Sequence, residues 1–167
     1  MKTENNEFLK ILTKYQGILH KVSLVYFRNK SDREDILQEI IYQLWKSFPK
    51  LKNKDSIGSW IYSVSINTSL SRIKKKSLVE YRDTVPEISD GLSDLNKAVK
   101  DDISEHLLNA IHNLDDINKS VILLYLEEKS YDEIAAILGV SKSNVGVRIN
   151  RAKKILKENL KYLNYGK

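Results

Sequence analysis

The clearest candidate chemistry lies in a polar and basic segment near one end of the 167-residue chain. Between residues 142 and 154, cations, amides and a hydroxyl alternate with apolar residues at helical spacing, so one face of a helix would be polar and basic. Guanidinium and amide groups hydrogen-bond to base edges, and ammonium groups bind phosphates. We therefore expect this face to enter the major groove of DNA, the alternative being a helical hairpin whose basic face is merely solvated. The candidate DNA-binding residues are Lys142, Ser143, Asn144, Val147, Arg148, Asn150, Arg151 and Lys154.

Two short helices joined by a tight turn would hold this face in position. Ser130 and Glu133 have the spacing of a capping box, and Gly139 falls where the first helix must end and turn. Ser141 can cap the second helix. The pattern predicts a helix-turn-helix over residues 130–155. The buried stripe of its second helix would be Val145, Ile149, Ala152 and Leu156.

The charge of the chain favours a polyanionic partner. The net charge is +6, and residues 141–167 hold eight basic side chains against one acidic side chain. Binding through these cations would depend on salt concentration, because it releases counterions from the phosphates.

Several function classes are excluded by what the sequence lacks. Without cysteine there is neither a disulfide framework nor a thiolate metal site, and His20, His106 and His112 have no metal-ligand spacing. No nucleophile–base pair or phosphate-binding glycine loop is recognisable, so we expect no enzyme activity, no metal and no cofactor. No apolar leader or membrane-length run is present, which predicts a cytoplasmic protein that does not insert into the membrane.

Apolar spacing is helical almost throughout, and the chain has only two prolines and six glycines, which predicts an all-α fold. Residues 80–102 break the pattern, since they carry seven acidic and three basic side chains with little periodicity. We therefore expect two small helical domains, at 1–77 and 103–167, joined by a flexible acidic linker at 78–102. Helices are predicted at 7–28, 31–47 (with Ser31 and Glu34 as a capping box), 57–76, from 103 onward, at 117–127 and in the helix-turn-helix.

The predicted second helix has an unusual second surface. Besides the apolar residues that would pack into the domain, it carries acids, an amide, an isoleucine and a tryptophan at three- and four-residue spacing. This mixture is typical of a protein-docking face. Composition leaves an equal alternative, in which Trp45 belongs to the core and the acids only solvate the helix. The candidate docking face consists of Glu34, Asp35, Gln38, Glu39, Ile41 and Trp45.

The predicted third helix combines aromatic, amide and basic side chains. Unstacked bases are held by aromatic faces and amide hydrogen bonds, with cations for the backbone, and Tyr62, Asn67 and the cluster at 72–76 provide these groups. Two simpler interpretations stay open. Trp60 is more readily a core residue than a stacking platform, and cations in a last turn also complement the helix dipole.

The segment Asp32–Phe48 resembles the most recognisable helix of the sigma-70 family of transcription initiation factors, of the extracytoplasmic-function type. As in that family, a variable loop and the segment Ser59–Lys76 follow, and the helix-turn-helix is similar to the family's second domain. The resemblance extends over residues 8–76 and 103–160, and two motifs in the expected order make it more specific than either alone. The family's Trp, aromatic, Asn and basic residues are matched by Trp60, Tyr62, Asn67, Arg72, Lys74 and Lys75.

The resemblance implies a dissociable subunit of bacterial RNA polymerase without chemistry of its own. The docking face would clamp the coiled coil of the polymerase β′ subunit, and the second domain would bind the minus-thirty-five promoter element and the flap of the β subunit. The third helix and the loop before it would melt the minus-ten element and hold its non-template strand. Factors of this kind are often held inactive by an anti-sigma factor, although no residue here identifies one. The minus-ten candidates are Lys52, Lys54, Tyr62, Asn67, Arg72, Lys74 and Lys75.

The chain departs from the family pattern at three positions. Ser71 stands where many members carry an acid, and Gly146 and Val147 replace a basic residue and a serine of the recognition helix. Gly146 costs about 1 kcal/mol of helix stability relative to alanine, and its missing side chain is expected to let the backbone approach the duplex closely. DNA binding is still expected, but the minus-thirty-five sequence cannot be transferred from relatives.

The main alternative function is that of a transcription regulator that uses the same helix-turn-helix without joining polymerase. Such a regulator would leave the docking face and the basic third helix unexplained. Association with RNA polymerase core separates the two functions.

Overall fold

The computed structural model describes residues 2–80 and 102–161, which belong to two compact units. The regular elements in these ranges are helical and none is a strand, so the predicted all-α fold with two helical parts is confirmed. Within the same ranges no helix is both long enough and apolar enough to cross a bilayer. The elements are α1 (Lys2–Tyr26), α2 (Lys30–Ser47), two 3₁₀ turns (Phe48–Lys50 and Lys54–Ser56), α3 (Ile57–Glu80), α4 (Asp102–His112), α5 (Asp116–Leu126), α6 (Tyr131–Leu138) and α7 (Lys142–Asn159).

The first unit is built from α1, α2 and α3, which pack against one another around a core of aliphatic side chains. Burying a Leu or Ile side chain contributes about 1.5–3 kcal/mol, so this core rather than helix propensity holds the three helices together. The side chains with almost no exposure are Leu19, Val22, Ile36, Ile40, Leu44, Ile61 and Ile66.

A series of aromatic rings extends this core. Phe8 lies between Trp45 and Phe48, with ring centroids 5.1 and 5.5 Å away. Phe48 in turn lies 6.3 Å from Trp60, which is partly buried, in agreement with its interpretation as a core residue. The rings therefore tie α1, the end of α2 and α3 to one another.

The start of α2 differs from the prediction. The side chain of Asn29 accepts a hydrogen bond from the Ser31 amide at 2.9 Å, and the Asn29 carbonyl accepts the first helical bond from Arg33. The predicted capping box of Ser31 and Glu34 is therefore wrong, because Asn29 is already extended and caps the helix two residues earlier. The predicted end at Ser47 is correct, and Pro49 lies in the 3₁₀ turn that follows.

The helices at the predicted linker are longer than expected. The third helix continues to Glu80, four residues past its predicted end, and α4 begins at Asp102, one residue before its predicted start. The remainder of the predicted acidic linker, residues 81–101, lies outside the described residues. At the other end, α1 begins at Lys2 rather than at residue 7.

The second unit contains the predicted helix-turn-helix in α6 and α7. Ser130 and Glu133 form the full capping box, and Gly139 ends α6 in the left-handed conformation with φ 67°. Ser141 caps α7 by accepting a hydrogen bond from the Asn144 amide at 3.1 Å. These features confirm the prediction made from spacing. The predicted stripe of α7 is buried at every position: Val145, Ile149, Ala152 and Leu156.

Candidate functional site

The docking face of α2 lies on the side of the helix away from its aliphatic stripe. Glu34, Asp35 and Gln38 are exposed, while Glu39 and Ile41 are partly buried. Trp45 is 42% exposed although its ring packs edge-on against Phe8, so it is a surface side chain that the core holds in place. The contact with Phe8 shows that Trp45 is partly a core residue, while its docking role stays a prediction; tryptophan is enriched among interface hot spots.

Tyr42 is a neighbour of this face that was not predicted from the sequence. It is an exposed aromatic residue on α2, one residue from Ile41 and three from Trp45. Tyr42 lies four residues after Gln38, and this spacing places both on the same side of the helix. The spacing could therefore have identified Tyr42 from the sequence.

An ion-pair cluster joins α2 to α3, and we call it the α2–α3 seam. Arg72 Nη1 lies 3.0 Å from Glu39 Oε2, and Arg72 Nη2 lies 3.5 Å from Asp35 Oδ2. One turn further along α3, Lys76 Nζ lies 3.3 Å from Asp32 Oδ2. The seam therefore joins a residue predicted to contact DNA to two residues predicted to contact polymerase.

Of the seven minus-ten candidates, the four lysines and Asn67 are exposed, and Lys54 also pairs with Glu7 of α1. Tyr62 is only 3% exposed, so its ring is part of the core and cannot stack on a base. This corrects the expectation for Tyr62: its place in the motif matches the family, but its side of α3 faces inward. Arg72 is likewise engaged, within the seam.

A groove of about 380 Å³ runs between α2 and α3 beside the seam. Asn67, Ser71 and Lys75 reach it from α3. The groove offers amide, hydroxyl and ammonium groups to a polar ligand. Its lining residues are Glu39, Gln43, Ser47, Val64, Asn67, Thr68, Ser71 and Lys75.

The outer face of α7 carries the predicted minus-thirty-five residues at spacings of three and four. Ser143, Asn150, Arg151 and Lys154 are exposed, and Val147 is 49% exposed. Such a stripe can present amide, guanidinium and methyl groups together to the edge of a base pair. Lys142 is exposed as well and lies 3.4 Å from the carboxylate of Asp132 on α6.

Arg148 is held more firmly than the rest of this face. Its Nε donates to Asn144 Oδ1 at 2.8 Å, and its Nη1 donates to Asn118 Oδ1 at 3.5 Å. Asn118 is buried, and its own amide side chain donates to Asp115, the N-cap of α5, at 2.9 Å. This network was missed from sequence, although the three-residue spacing of Asp115 and Asn118 at a helix start is a recognisable capping signal.

One flank of α7, which includes Gly146, faces two tyrosines. A Cβ atom at Gly146 would lie 3.6 Å from Cε2 of Tyr131, so the position of the missing side chain faces this ring on α6. On the same flank Lys153 Nζ lies 4.3 Å from the ring of Tyr125. A hydrogen bond with Tyr125 raises the pKa of Lys153 above its ordinary value, with a smaller electrostatic contribution from the same residue and from Tyr131.

Known proteins are similar to the chain in both units. A family model described as Sigma-70 region 2 matches residues 11–79, and one described as Sigma-70, region 4 matches residues 104–156. Two Bacillus subtilis relatives cover most of the chain. RNA polymerase sigma factor YlaC is 30% identical, covering 87% of each chain, and ECF RNA polymerase sigma factor SigW is 25% identical, covering 97% of this chain and 93% of its own. The sigma factor RpoE of Bartonella quintana, solved with the anti-sigma factor NepR, has a similar fold, with a TM-score of 0.71, 19% identity and coverage of 96% and 98%.

Proposed function

The chain belongs to the sigma-70 family of RNA polymerase sigma factors, of the extracytoplasmic-function type, and on that basis we propose a partner for each of its polar surfaces. As such a factor it binds RNA polymerase core and directs promoter-specific initiation of transcription. A regulator that does not join the core is not favoured, because the region 2 match covers α2 and nearly all of α3.

The docking face of α2 binds the coiled coil of the β′ subunit in this proposal. The support is a half-exposed tryptophan held by the core next to exposed acids and an amide. An anchored aromatic loses little side-chain entropy on binding, and acids around it favour a basic partner. Tyr42 adds exposed aromatic area on the same side of the helix.

The exposed polar groups of α3 and of the preceding loop bind the non-template strand of the minus-ten element. Asn67 can hydrogen-bond to a base edge, while Lys74 and Lys75 bind phosphates. Lys52 and Lys54 extend the basic surface from the loop. Tyr62 is not part of this surface, because its ring is buried.

The outer face of α7 binds the minus-thirty-five element in the major groove. Asn150 and Arg151 have the functional groups for base edges, and the exposed Val147 suits the methyl group of thymine. Lys154 and Lys142 bind phosphates. Arg148, which is held by Asn144 and Asn118, binds phosphate beside them. The flap of the β subunit contacts the same unit.

Three further properties follow from the same assignment. The chain has no catalytic activity of its own, because the chemistry belongs to the polymerase. It acts in the cytoplasm, where the polymerase and the promoters are. An anti-sigma factor is a third partner in this proposal, because RpoE of Bartonella quintana was solved with one.

The observation that carries the proposal is the pair of exposed, chemically distinct faces on α2 and α7, each in a segment that a sigma-70 model matches. Its test is transcription in vitro with purified core polymerase on genomic fragments, followed by mapping of the start sites. We expect defined start sites that depend on the added chain. Complete absence of dependent initiation would overturn the proposal.

A variant tests the docking face separately. Replacing Asp35 and Gln38 together by alanine should weaken binding to polymerase core, while the unchanged α7 face keeps its affinity for promoter duplex. The matched control is Lys10→Ala and Lys14→Ala on the exposed side of α1. Core affinity that stays at the control value would remove the docking assignment.

A further inference from the structure

Arg72 contacts two carboxylates of α2, whereas Lys74 and Lys75 on the same helix contact none among the described residues. Both terminal nitrogens of its guanidinium face carboxylates of α2, at 3.0 Å to Glu39 and 3.5 Å to Asp35. Lys74 and Lys75, two and three residues later, are exposed and have no carboxylate within ion-pair distance among the described residues. Three cations of one predicted DNA-binding cluster are therefore in two different environments.

The environment of Arg72 suits a bridge between two helices. A planar guanidinium with two donor nitrogens can hold two carboxylates at once, which a lysine ammonium does less well because it is a point charge on a flexible chain. Glu39 and Arg72 are each about one-third exposed, so water screens this pair less than a fully exposed one. The pair of Lys76 with Asp32 supports the same seam one turn away.

We propose that Arg72 is a positioning residue of the polymerase-docking face and not a contact for promoter DNA. Its guanidinium holds the Glu39 and Asp35 carboxylates from the α3 side. Both carboxylates are therefore already oriented when a basic partner binds. This inference rests on the proposed docking role of α2 and adds a residue from α3 to it. Preorganisation of this kind lowers the side-chain entropy lost on association.

The test compares Arg72→Gln with Lys74→Gln in the full-length chain. Each variant loses one cation from the same turn of α3, but only the first leaves two carboxylates of α2 without their partner. The affinity for polymerase core is measured first, by titration of labelled chain, and binding of the unchanged chain to core is the prerequisite. If the unchanged chain does not bind, the proposed function fails and not the assignment of Arg72.

We expect Arg72→Gln to weaken core binding roughly two- to fivefold, the range of a partly exposed ion pair, and Lys74→Gln to leave it unchanged. The affinity of holoenzyme for a minus-ten single strand is then measured at a saturating concentration of the chain. This affinity should depend on Lys74 and not on Arg72. Lys74→Gln should lower that affinity and reduce the salt slope by about 0.7, the value for one lost phosphate contact on a single strand. Arg72→Gln should leave that slope unchanged.

A double-mutant cycle with Glu39→Gln separates positioning from general support of the fold. If Arg72 acts through Glu39, the two substitutions together should weaken core binding by less than the product of their separate effects. Arg72→Lys should recover only part of the affinity, because it keeps the charge but not the fork. Thermal unfolding of each variant reports any loss of the fold, and an effect on core binding that merely parallels the unfolding temperature contradicts positioning.

Two results would overturn the inference outright. Tighter core binding by Arg72→Gln would mean that Arg72 competes with polymerase for the acids. Unchanged core binding with a reduced salt slope on DNA would return Arg72 to the minus-ten surface.

Discussion

The replacement Gly146→Ala tests how α7 is built and where its flank faces. An added Cβ atom at this position lies 3.6 Å from the Tyr131 ring, which is an ordinary van der Waals distance, so no neighbour has to move. The gain in helix propensity is about 0.8–1.0 kcal/mol, and a contact with one or two ring atoms adds about 0.1–0.2 kcal/mol per atom pair. We expect the second unit to be more stable by about 1 kcal/mol. For a unit of this size that corresponds to about 4–8 °C in unfolding temperature.

The assay can separate the two units within the full-length chain. The two tryptophans, Trp45 and Trp60, both belong to the first unit, so tryptophan fluorescence follows that unit alone. Far-ultraviolet circular dichroism follows the helices of both. Gly146→Ala should raise the unfolding midpoint of the second unit, which circular dichroism reports and tryptophan fluorescence does not. The fluorescence midpoint, which reports the first unit, should stay unchanged.

Gly139→Ala is the matched control in the same helix-turn-helix. Nothing lies within 4 Å of a Cβ atom there, so space is not limiting, but φ is 67°. The left-handed conformation costs an alanine about 1–2 kcal/mol, so this variant should destabilise the unit by that amount. The two alanines should therefore shift the transition in opposite directions.

Duplex affinity supplies the result that would refute the reasoning. If the flank of Gly146 faces Tyr131, an alanine there should leave the affinity for promoter duplex unchanged. A several-fold loss of affinity would mean that a Cβ atom at this position meets the DNA backbone. The earlier expectation of close backbone approach would then be correct.

Three more substitutions test single contacts. Arg151→Ala should lower duplex affinity by about 1–3 kcal/mol if it reads a guanine, measured by titration at fixed salt, whereas a change in salt slope alone would identify a phosphate contact. Asn118→Ala should destabilise the second unit by about 0.5–1.5 kcal/mol for each lost hydrogen bond, because the exposed Asp115 and the partly buried Arg148 each lose a partner, and unchanged stability would contradict the network. Trp45→Ala should weaken polymerase-core binding and lower the stability of the first unit by about 1–3 kcal/mol, less than a fully buried tryptophan, and normal core affinity would count against its role as an anchor.

The parts of the structure that the sequence predicts well depend on local rules. Ser130, Glu133, Gly139 and Ser141 were identified from spacing and amino-acid type, and each has the predicted conformation or bond. Caps and left-handed turns are decided by atoms within a few residues, so the signal is contained in the segment itself. The one wrong cap, at Ser31, had a competing asparagine two residues earlier, and local rules do not rank two adequate caps.

The parts that were not predicted depend on tertiary packing. Tyr62 was predicted to contact the minus-ten element, but whether its ring faces out or in is decided by which sides of α3 pack against α1 and α2. The partners of Arg72 lie 33 and 37 residues away on α2, and no spacing rule along one helix indicates them. The same holds for Arg148 and Asn118, which meet only because α5 packs against α7.

The arginines and lysines predicted to contact DNA have different surroundings in the two described units. Arg72 and Arg148 were both predicted to contact DNA, but Arg72 is held by two carboxylates of α2 and Arg148 by the amides of Asn144 and Asn118. Guanidinium groups suit such fixed bridges, whereas the lysines of α3 and α7 mostly stay exposed on flexible stems. A fixed bridge orients neighbouring groups and a flexible ammonium provides phosphate affinity that depends on salt. We expect specificity in this factor to come from the exposed amide and guanidinium groups that can read base edges, Asn67, Asn150 and Arg151, while its lysines supply sequence-independent affinity.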